Sequence, residues 1–396
     1  MATTHLDEIA SAVDGNNLKD IHTEAYVLEK ANDPFRLQDI VLDEVRGNEL
    51  LVEMKYSGIC HTDLIVQSGA IPDLEFPAIL GHEAAGYIRA IGSNVTRTDL
   101  ILGDFVLLSF NTCGACKQCK RGHPAYCLNG AKLHMGAVRP EDGSSHARLA
   151  KDGRSVRSQF FGQSTFSRMT IVQESTVAMK YPYDPEGAAM FAACGCEFQT
   201  EAGTVLNVLK PREDDSVVVF GLGGVGLTAV MAAKFLGVGR IIGVDISGER
   251  LRVATELGAT EVVDSKGMPD VVKVIWGRTG GGGADFCIDC VGNTAIIESM
   301  IECLAKCGTA ASVGVMPPGK TVSLDPQKHL FDNKRYIGVL EGDSNPIKFI
   351  PELVAMQRSG KFPLKKLCTT YPWQDMEQAL TDMHAGKVIK PVLQWC

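Results

Sequence analysis

The chain has 396 residues, enough for two domains or three, and 45% of them are hydrophobic, as in a soluble globular protein. A formal net charge of −8 with no basic block argues against nucleic acid or an anionic membrane as a partner. Thirteen cysteines, an odd count in a long chain, and an N-terminus (MATTHLDEIA) without a charged leader and apolar run argue against an exported disulfide scaffold. Reduced thiols in the cytoplasm are the expectation, and their spacing then decides whether they bind metal.

Residues 24–56 alternate apolar and polar in short pieces, EAYVLEKA and NELLVEMKYSG, separated by turn residues, which predicts a half-exposed β-rich region. GICHTDL then brings Cys60, His61, Thr62 and Asp63 together. GHEAAGYI sets His82 and Glu83 side by side in an apolar frame. Taken alone, such a histidine is more often a satisfied core residue than a ligand, and a single cysteine is more often packing. Strand-like runs follow at YIRAIG and GDFVLLSF. Cys113, Cys116, Cys119 and Cys127 form C-x2-C-x2-C-x7-C, whose thiolates can close a tetrahedral zinc site and staple a loop with little core of its own. A ferredoxin cluster run would have a shorter last gap and a proline where Leu128 stands. A zinc ribbon would show two separated CxxC knuckles with basic flanks. The polar, glycine-bearing stretch 129–158, with Arg139, Arg148, Arg154 and Arg157, reads as an exposed loop. CGCEFQTEAG supplies Cys194 and Cys196.

The texture changes near residue 195. From 216 on, apolar strands alternate with helices: VVVFG and GLTAVMAAKFLG, RIIGVD and ERLRVATELG, EVVD and DVVKVIWGRT, ADFCIDCVG and AIIESMIECLAKCG, then AASVGV. This predicts an α/β, doubly wound parallel sheet covered on both faces. Ser216 to Ala233 carries no charge and is near the lower length limit for a membrane span, but its glycines and β-branched start predict a buried strand, turn and helix instead. TGGGGAD at 279–285 lacks the lysine and hydroxyl of a P-loop and reads as a flexible connection. After about residue 341 the alternation loosens, with a helix at FIPELVAMQRSGK and a strand at KPVLQWC.

Gly221, Gly223 and Gly226 make G-x-G-x-x-G between a strand and a helix, and a second strand ends in Asp245, 19 residues further on. The first glycine allows the tight turn, the second lets backbone approach a pyrophosphate, and the third lets helix and strand pack closely. Gly224 and Val225 complete the run, and phosphates sit on the free N–H groups at the helix start. Asp245 would accept hydrogen bonds from the adenosine ribose and repel a 2′-phosphate, which favours NAD over NADP.

CHTD, GHEAAG, the four-cysteine lobe, GLGGVG and VD occur in the order and spacing of one family. From about residue 24 to 396 the chain resembles the zinc-containing medium-chain alcohol dehydrogenases. CEFQTEAGTVLNVLKP and FFGQSTFS look most like the branch acting on benzyl or aryl alcohols. The resemblance implies a Rossmann domain over 198–341 and a β-rich, GroES-like, zinc-binding catalytic domain over 1–197 and 342–396. It implies two Zn2+ per chain: a catalytic one on Cys60, His82 and Cys196 with Glu83 beside it, and a structural one on Cys113, Cys116, Cys119 and Cys127. Asp63 would bond the far nitrogen of His82, and Thr62 would share a proton with the alcohol. His61 and Lys390 match positions that contact the cofactor pyrophosphate, Arg250 one on the adenosine ribose, and Gly292, Val313 and Val315 strand ends near the nicotinamide.

Ile65 departs from the pattern, standing where many relatives carry a histidine that ends the proton relay. Glu197 and Glu201 replace common glycines, and both are expected to point to solvent unless Glu197 brings charge to the cofactor. Phe110, Phe160 and Phe161 are candidates for an apolar substrate wall or for core. The implied activity is hydride transfer between a primary, aromatic or bulky alcohol/aldehyde pair and NAD, in a cytoplasmic homodimer or homotetramer with no nucleic-acid or membrane partner. Two other readings stay open. One is a biosynthetic aldehyde or enone reductase using NAD(P)H. The other is a non-catalytic binding protein of the same fold, against which the intact Cys60, His82, Glu83 and Cys196 speak.

Overall fold

The structure is a computed structural model that describes residues 19–71, 73–316 and 318–395. It divides into two compact units. The first comprises the described residues up to Gly122, Cys127–Cys196 and those from Cys368 on. The second comprises His123–Tyr126 and Glu197–Leu367.

The first unit is built on two sheets. One runs Val177–Lys180, Phe105–Leu108, Ala84–Ile91, Glu49–Gly58, Lys390–Gln394 and Cys368–Pro372 in spatial order, with Met169–Gln173 also paired to Glu49–Gly58. That central strand is buried along nine of its ten residues, since three neighbours share its edges and both its faces are covered. The other sheet runs Ala78–Ile79, Ile21–Leu28, Arg36–Leu42, Ala147–Leu149 and Ser155–Val156.

The stretch 129–158 is not the exposed loop its polarity suggests. It forms a helix, Gly130–Met135, and the two short strands that end the second sheet. Arg139 within it is fully buried. Its guanidinium donates to both oxygens of Glu49 (2.8 and 3.0 Å), to Asp43 (2.6 Å) and to the Glu44 carbonyl (2.6 Å). A charge is tolerated inside only when paired and hydrogen-bonded on this scale. Composition therefore misled at Arg139, while Arg154 is exposed and Arg148 half-buried.

The second unit holds a six-stranded, all-parallel sheet in the order Glu261–Asp264, Arg240–Asp245, Ser216–Phe220, Ala284–Asp289, Leu304–Ser312, Arg335–Gly338. That is the strand order of a doubly wound dinucleotide-binding fold. Val218, Phe220, Ile242 and Val244 bury one face against Ile275, Ile297, Met300 and Ile301. The alternate residues Val217, Val219 and Ile241 are equally buried, and the helix Gly224–Phe235 packs on their side. Burial on both faces is why these strands read as unbroken apolar runs. AIIESMIECLAKCG does not form one helix: the helix is Thr294–Glu302, and Leu304 already pairs with Ala284. Pairing along the sheet overrides local helical preference there. The uncharged stretch from Ser216 is a five-residue strand, a turn and a twelve-residue helix, and among the described residues no helix is long and apolar enough to cross a membrane.

Candidate active site and dinucleotide turn

Cys60, His82, Glu83 and Cys196 converge in the first unit, each offering a donor atom within 4.8 Å of the others, and all four are buried. Three separate pieces of chain bring them there, since His82 and Glu83 are neighbours. Cys60 is the N-cap of the helix His61–Gln67, where its N–H donates to Asp63 Oδ2 (3.0 Å) and its carbonyl accepts from the Asp63 N–H (3.1 Å). Asp63 is thereby fixed, and its other oxygen, Oδ1, lies 3.2 Å from His82 Nδ1. A ring nitrogen held by a carboxylate carries the proton, which leaves Nε2 as the donor for an ion. That Nε2 is buried and makes no hydrogen bond among the described residues.

Glu83 follows His82, just before the strand Ala84–Ile91. Its carboxylate accepts from the fully buried Lys390 Nζ at 2.9 and 3.2 Å, and Nζ also donates to the Ile59 carbonyl. Gly58 makes room for it, since a Cβ there would stand 2.2 Å from Glu83 Oε2. Cys196 closes the group, whereas Cys194 is buried outside it. A hydrogen bond with Cys196 holds the Cys60 thiol well below the ordinary thiol range against its burial, helped by the Lys390 charge. Two thiols, an imidazole with an orphaned nitrogen and a carboxylate are the donor set of an open zinc site, and these residues could hold one. Thr62 Oγ1 lies 3.7 Å from Cys60 Sγ.

Aromatic rings surround the imidazole. Phe160 meets His82 edge-on and Phe161 stacks on it. Gln163 Nε2 donates to the His82 and Ser109 carbonyls, both at 2.9 Å. Phe110, Phe160 and Phe161 are all buried. The Glu83–Lys390 pair and the role of Gln163 escape sequence reasoning, because both depend on contacts across long stretches of chain.

The second cysteine group lies in the same unit. Sγ–Sγ distances are 3.4 Å for Cys127–Cys113, 3.5 Å for Cys116–Cys119 and 4.0 Å for Cys113–Cys119. Tetrahedral zinc with bonds of about 2.3 Å sets its sulfurs about 3.8 Å apart. The N–H groups of Cys116, Leu128 and Cys113 point at the sulfurs of Cys113, Cys116 and Cys127. These N–H···S bonds favour thiolates, so the lobe fits a closed four-sulfur ion site.

In the second unit, Gly221 adopts φ +88°, a left-handed conformation that opens the turn after Phe220. A Cβ on Gly226 would stand 1.9 Å from the Gly221 carbonyl, while one on Gly223 would meet nothing within 4 Å. The turn is therefore tight at Gly226 and open at Gly223. Gly223, Gly224 and Val225 lie at the helix start, where N–H groups lack intrahelical partners. Asp245 braces this turn: Oδ2 accepts from Leu222 N–H (2.6 Å) and Oδ1 from Ser247 N–H (2.8 Å). Burial pulls the half-buried Arg250 guanidinium below the usual arginine range, opposed by the Asp245 and Glu197 carboxylates.

At the same carboxyl end of the sheet, Asp289 ends the strand that pairs with Phe220 on the side away from Asp245; its Oδ1 accepts from the N–H groups of Val291 and Gly292, and its carbonyl accepts from Val313 N–H. Gly292 packs so closely on Val315 that a Cβ would stand 2.5 Å from its carbonyl. Glu197 and Glu201 do not point to solvent: both are buried. Burial pushes the Glu201 carboxyl well above the usual range, and its Oε1 accepts from the Cys290 thiol at 3.7 Å. Of the remaining residues singled out in the sequence, His61 is exposed on its helix, and Lys390 is committed to Glu83.

Comparison with known proteins places this geometry. Residues 46–182 match the alcohol dehydrogenase GroES-like domain and residues 224–356 the zinc-binding dehydrogenase domain. The chain is 35% identical over 373 residues to a geraniol dehydrogenase of Castellaniella defragrans, covering 94% of this chain and 98% of that one. Two solved structures are similar throughout. An alcohol dehydrogenase zinc-binding domain protein from Burkholderia ambifaria has 38% identity and a TM-score of 0.89, covering 95% of this chain and 99% of that one. The benzyl alcohol dehydrogenase of Acinetobacter calcoaceticus has 36% identity and a TM-score of 0.88, covering 95% of this chain and all of that one. With its fold, its two cation-ready groups and relatives aligned along nearly its whole length, the chain belongs to the zinc-containing medium-chain alcohol dehydrogenases, enzymes whose cofactors are zinc and a nicotinamide dinucleotide.

Proposed function

We propose that this alcohol dehydrogenase interconverts primary alcohols bearing an aromatic or similarly bulky unsaturated group with their aldehydes, and that it uses NAD. The observation that carries the reading is the buried group of Cys60, His82, Glu83 and Cys196 with Phe160 and Phe161 packed against its imidazole. An apolar aromatic wall beside the reacting centre suits a planar or extended alcohol better than a small one. The names of two relatives, geraniol dehydrogenase and benzyl alcohol dehydrogenase, point the same way.

Cys60, His82 and Cys196 would hold the catalytic zinc, and Cys113, Cys116, Cys119 and Cys127 the structural one. When bound, the catalytic ion supplies a Lewis acid that makes an alcohol hydroxyl more acidic and polarises a carbonyl, while the dinucleotide exchanges the hydride. The chain's own residues do the rest. Asp63 fixes the tautomer of His82, and Thr62 takes the alcohol proton on its hydroxyl. Lys390 holds the Glu83 carboxylate in place next to the thiols. Ile65 has no group that could accept or pass on a proton, so a relay beyond Thr62 would not run through this side chain. Gly221, Gly223, Gly224, Val225 and Gly226 would cradle the pyrophosphate of a bound dinucleotide, Asp245 and Arg250 would hold its adenosine ribose, and Gly292, Val313 and Val315 would border its nicotinamide.

A panel of alcohols read at the NADH absorbance with NAD and with NADP tests this. Benzylic and allylic primary alcohols with NAD are expected to give the highest kcat/KM. A preference for ethanol, or for NADP, would remove the reading. Asp245→Gly is expected to narrow the NAD-over-NADP ratio by about tenfold or more, the equivalent of one well-placed charge contact of about 1.4 kcal/mol. An unchanged ratio would show that Asp245 only braces the turn.

A further inference from the structure

His82, Phe161 and His134 form a stacked column in the first unit. The Phe161 ring lies 4.6 Å from His82 at an interplanar angle of 26°, and on its other face 4.6 Å from His134 at 10°. Phe110 closes the far end, edge-on to His134 at 6.0 Å. Phe161 holds this place in a left-handed backbone conformation, φ +53°, which a bulky residue keeps only where its surroundings over-determine it.

What over-determines it belongs to the four-cysteine lobe. The Phe161 carbonyl accepts from Asn111 N–H (3.1 Å), and the Asn111 carbonyl accepts from His134 Nε2 (2.7 Å). Asn111 precedes Cys113 by two residues. His134 sits in the helix Gly130–Met135, which begins three residues after Cys127. The far end of the column is thus anchored on both sides of the cysteine group, and the near end is the imidazole of the other group.

The two kinds of contact on His82 do different work. Asp63 fixes one direction in the plane of the ring through Nδ1. It leaves rotation about that direction open, because the terminal torsion of a histidine is broad. The ring plane is set by what packs on its face, and that is Phe161.

We propose that His134 and Phe161 are positioning residues: through their stack, ordering of the four-cysteine lobe sets the plane of the His82 ring, and the two metal groups are coupled. The proposal rests on the reading of both groups as zinc sites. Coupling between binding sites is reciprocal, so an ion in the lobe tightens the buried group and the converse holds.

The test uses the full-length zinc-loaded enzyme. Zinc content comes first: fewer than two ions per wild-type chain would defeat the zinc reading itself, before any variant is made. His134→Leu, which keeps volume and removes the stacked ring, is then compared with wild type. The readouts are the rate of zinc release to a chelator, the visible spectrum of the protein with cobalt in the buried group, NADH affinity and melting temperature. His134→Leu is expected to speed release from the buried group about tenfold and to shift the cobalt bands, with NADH affinity unchanged. His134→Phe, which restores a stacked ring without the bond to Asn111, is expected to return release to within about threefold of wild type. Wild-type release and spectrum in a folded His134→Leu protein would overturn the proposal, as would His134→Phe behaving like His134→Leu. Should His134→Leu fail to fold, Phe161→Leu replaces it, with the same two outcomes.

Discussion

The two cation-ready groups of the first unit are built on opposite plans. In the lobe, four thiols come from a fifteen-residue stretch, and most of them are partly exposed. Their further bonds come from backbone N–H groups close by in the chain. In the buried group, four donors of three chemical kinds come from 60, 82, 83 and 196, and His82 and Glu83 are held by Asp63 and Lys390. The lobe is a local staple whose ligand shell closes on itself. The buried group is an electrostatic assembly whose parts are aimed by the surrounding fold, as a reactive centre requires.

The contrast predicts different failures when one ligand is lost. Cys60→Ser weakens a centre whose electrophile is worth several kcal/mol of barrier, so kcat/KM is expected to fall at least about a thousandfold. Dinucleotide binding, measured by NADH fluorescence, should persist. Turnover close to wild type would erase the distinction. Cys116→Ser is expected to act on the fold instead. Zinc content should drop by one ion per chain, and stability should fall by something on the order of 5 kcal/mol, part of what a structural zinc contributes. An inactive but fully stable Cys116→Ser protein would mean that the lobe is not a staple.

A sharper version of the comparison removes a support rather than a ligand. Lys390 and Glu83 are both fully buried, and deleting one partner removes the opposite charge that the other faces inside the protein. Lys390→Met is expected to cost about 3–5 kcal/mol of stability by chemical denaturation. The paired change Lys390→Met with Glu83→Gln should recover much of that loss, since neither remaining side chain carries a charge. If the double variant is as unstable as the single one, Lys390 acts by packing alone.

The same contrast explains what could be read without coordinates. The lobe, the glycine turn and the run of parallel strands are legible because each signal lies within some 30 residues of chain and has a fixed period or spacing. The buried group is legible only by resemblance: nothing local to GHEAAG says that Cys60 and Cys196 will meet it. The hardest residues to place are charges whose partners lie far off in sequence. Arg139 answers Glu49, Lys390 answers Glu83, and Glu197 and Glu201 are enclosed although their composition suggests water. At Cys303 and Leu304 a helical pattern runs straight into a strand, because the neighbouring strand, not the local sequence, decides the pairing.

The region following the lobe offers a final test of how it is tied to the first unit. Glu49 accepts from Arg139 and lies 2.9 Å from His146 Nε2, with Arg46 N–H on its other oxygen. Despite its burial, bonds from His146 and Arg139 hold its pKa down to about 2 from 4.5. A carboxylate depressed in the folded state stabilises the protein above its unfolded pKa and loses that contribution as pH falls through the folded value. Here the window runs from about pH 4.5 to about pH 2, and the shift corresponds to roughly 3 kcal/mol at most. Burial lowers the His146 pKa as well, so protonating it in the unfolded chain starts the decline already below about pH 6.5. Glu49→Gln should therefore be less stable than wild type at pH 7, with the gap between their denaturation midpoints closing as pH drops from 4.5 towards 3. A gap that stays constant across that range would show that Glu49 serves the fold by its hydrogen-bond geometry and not by its charge.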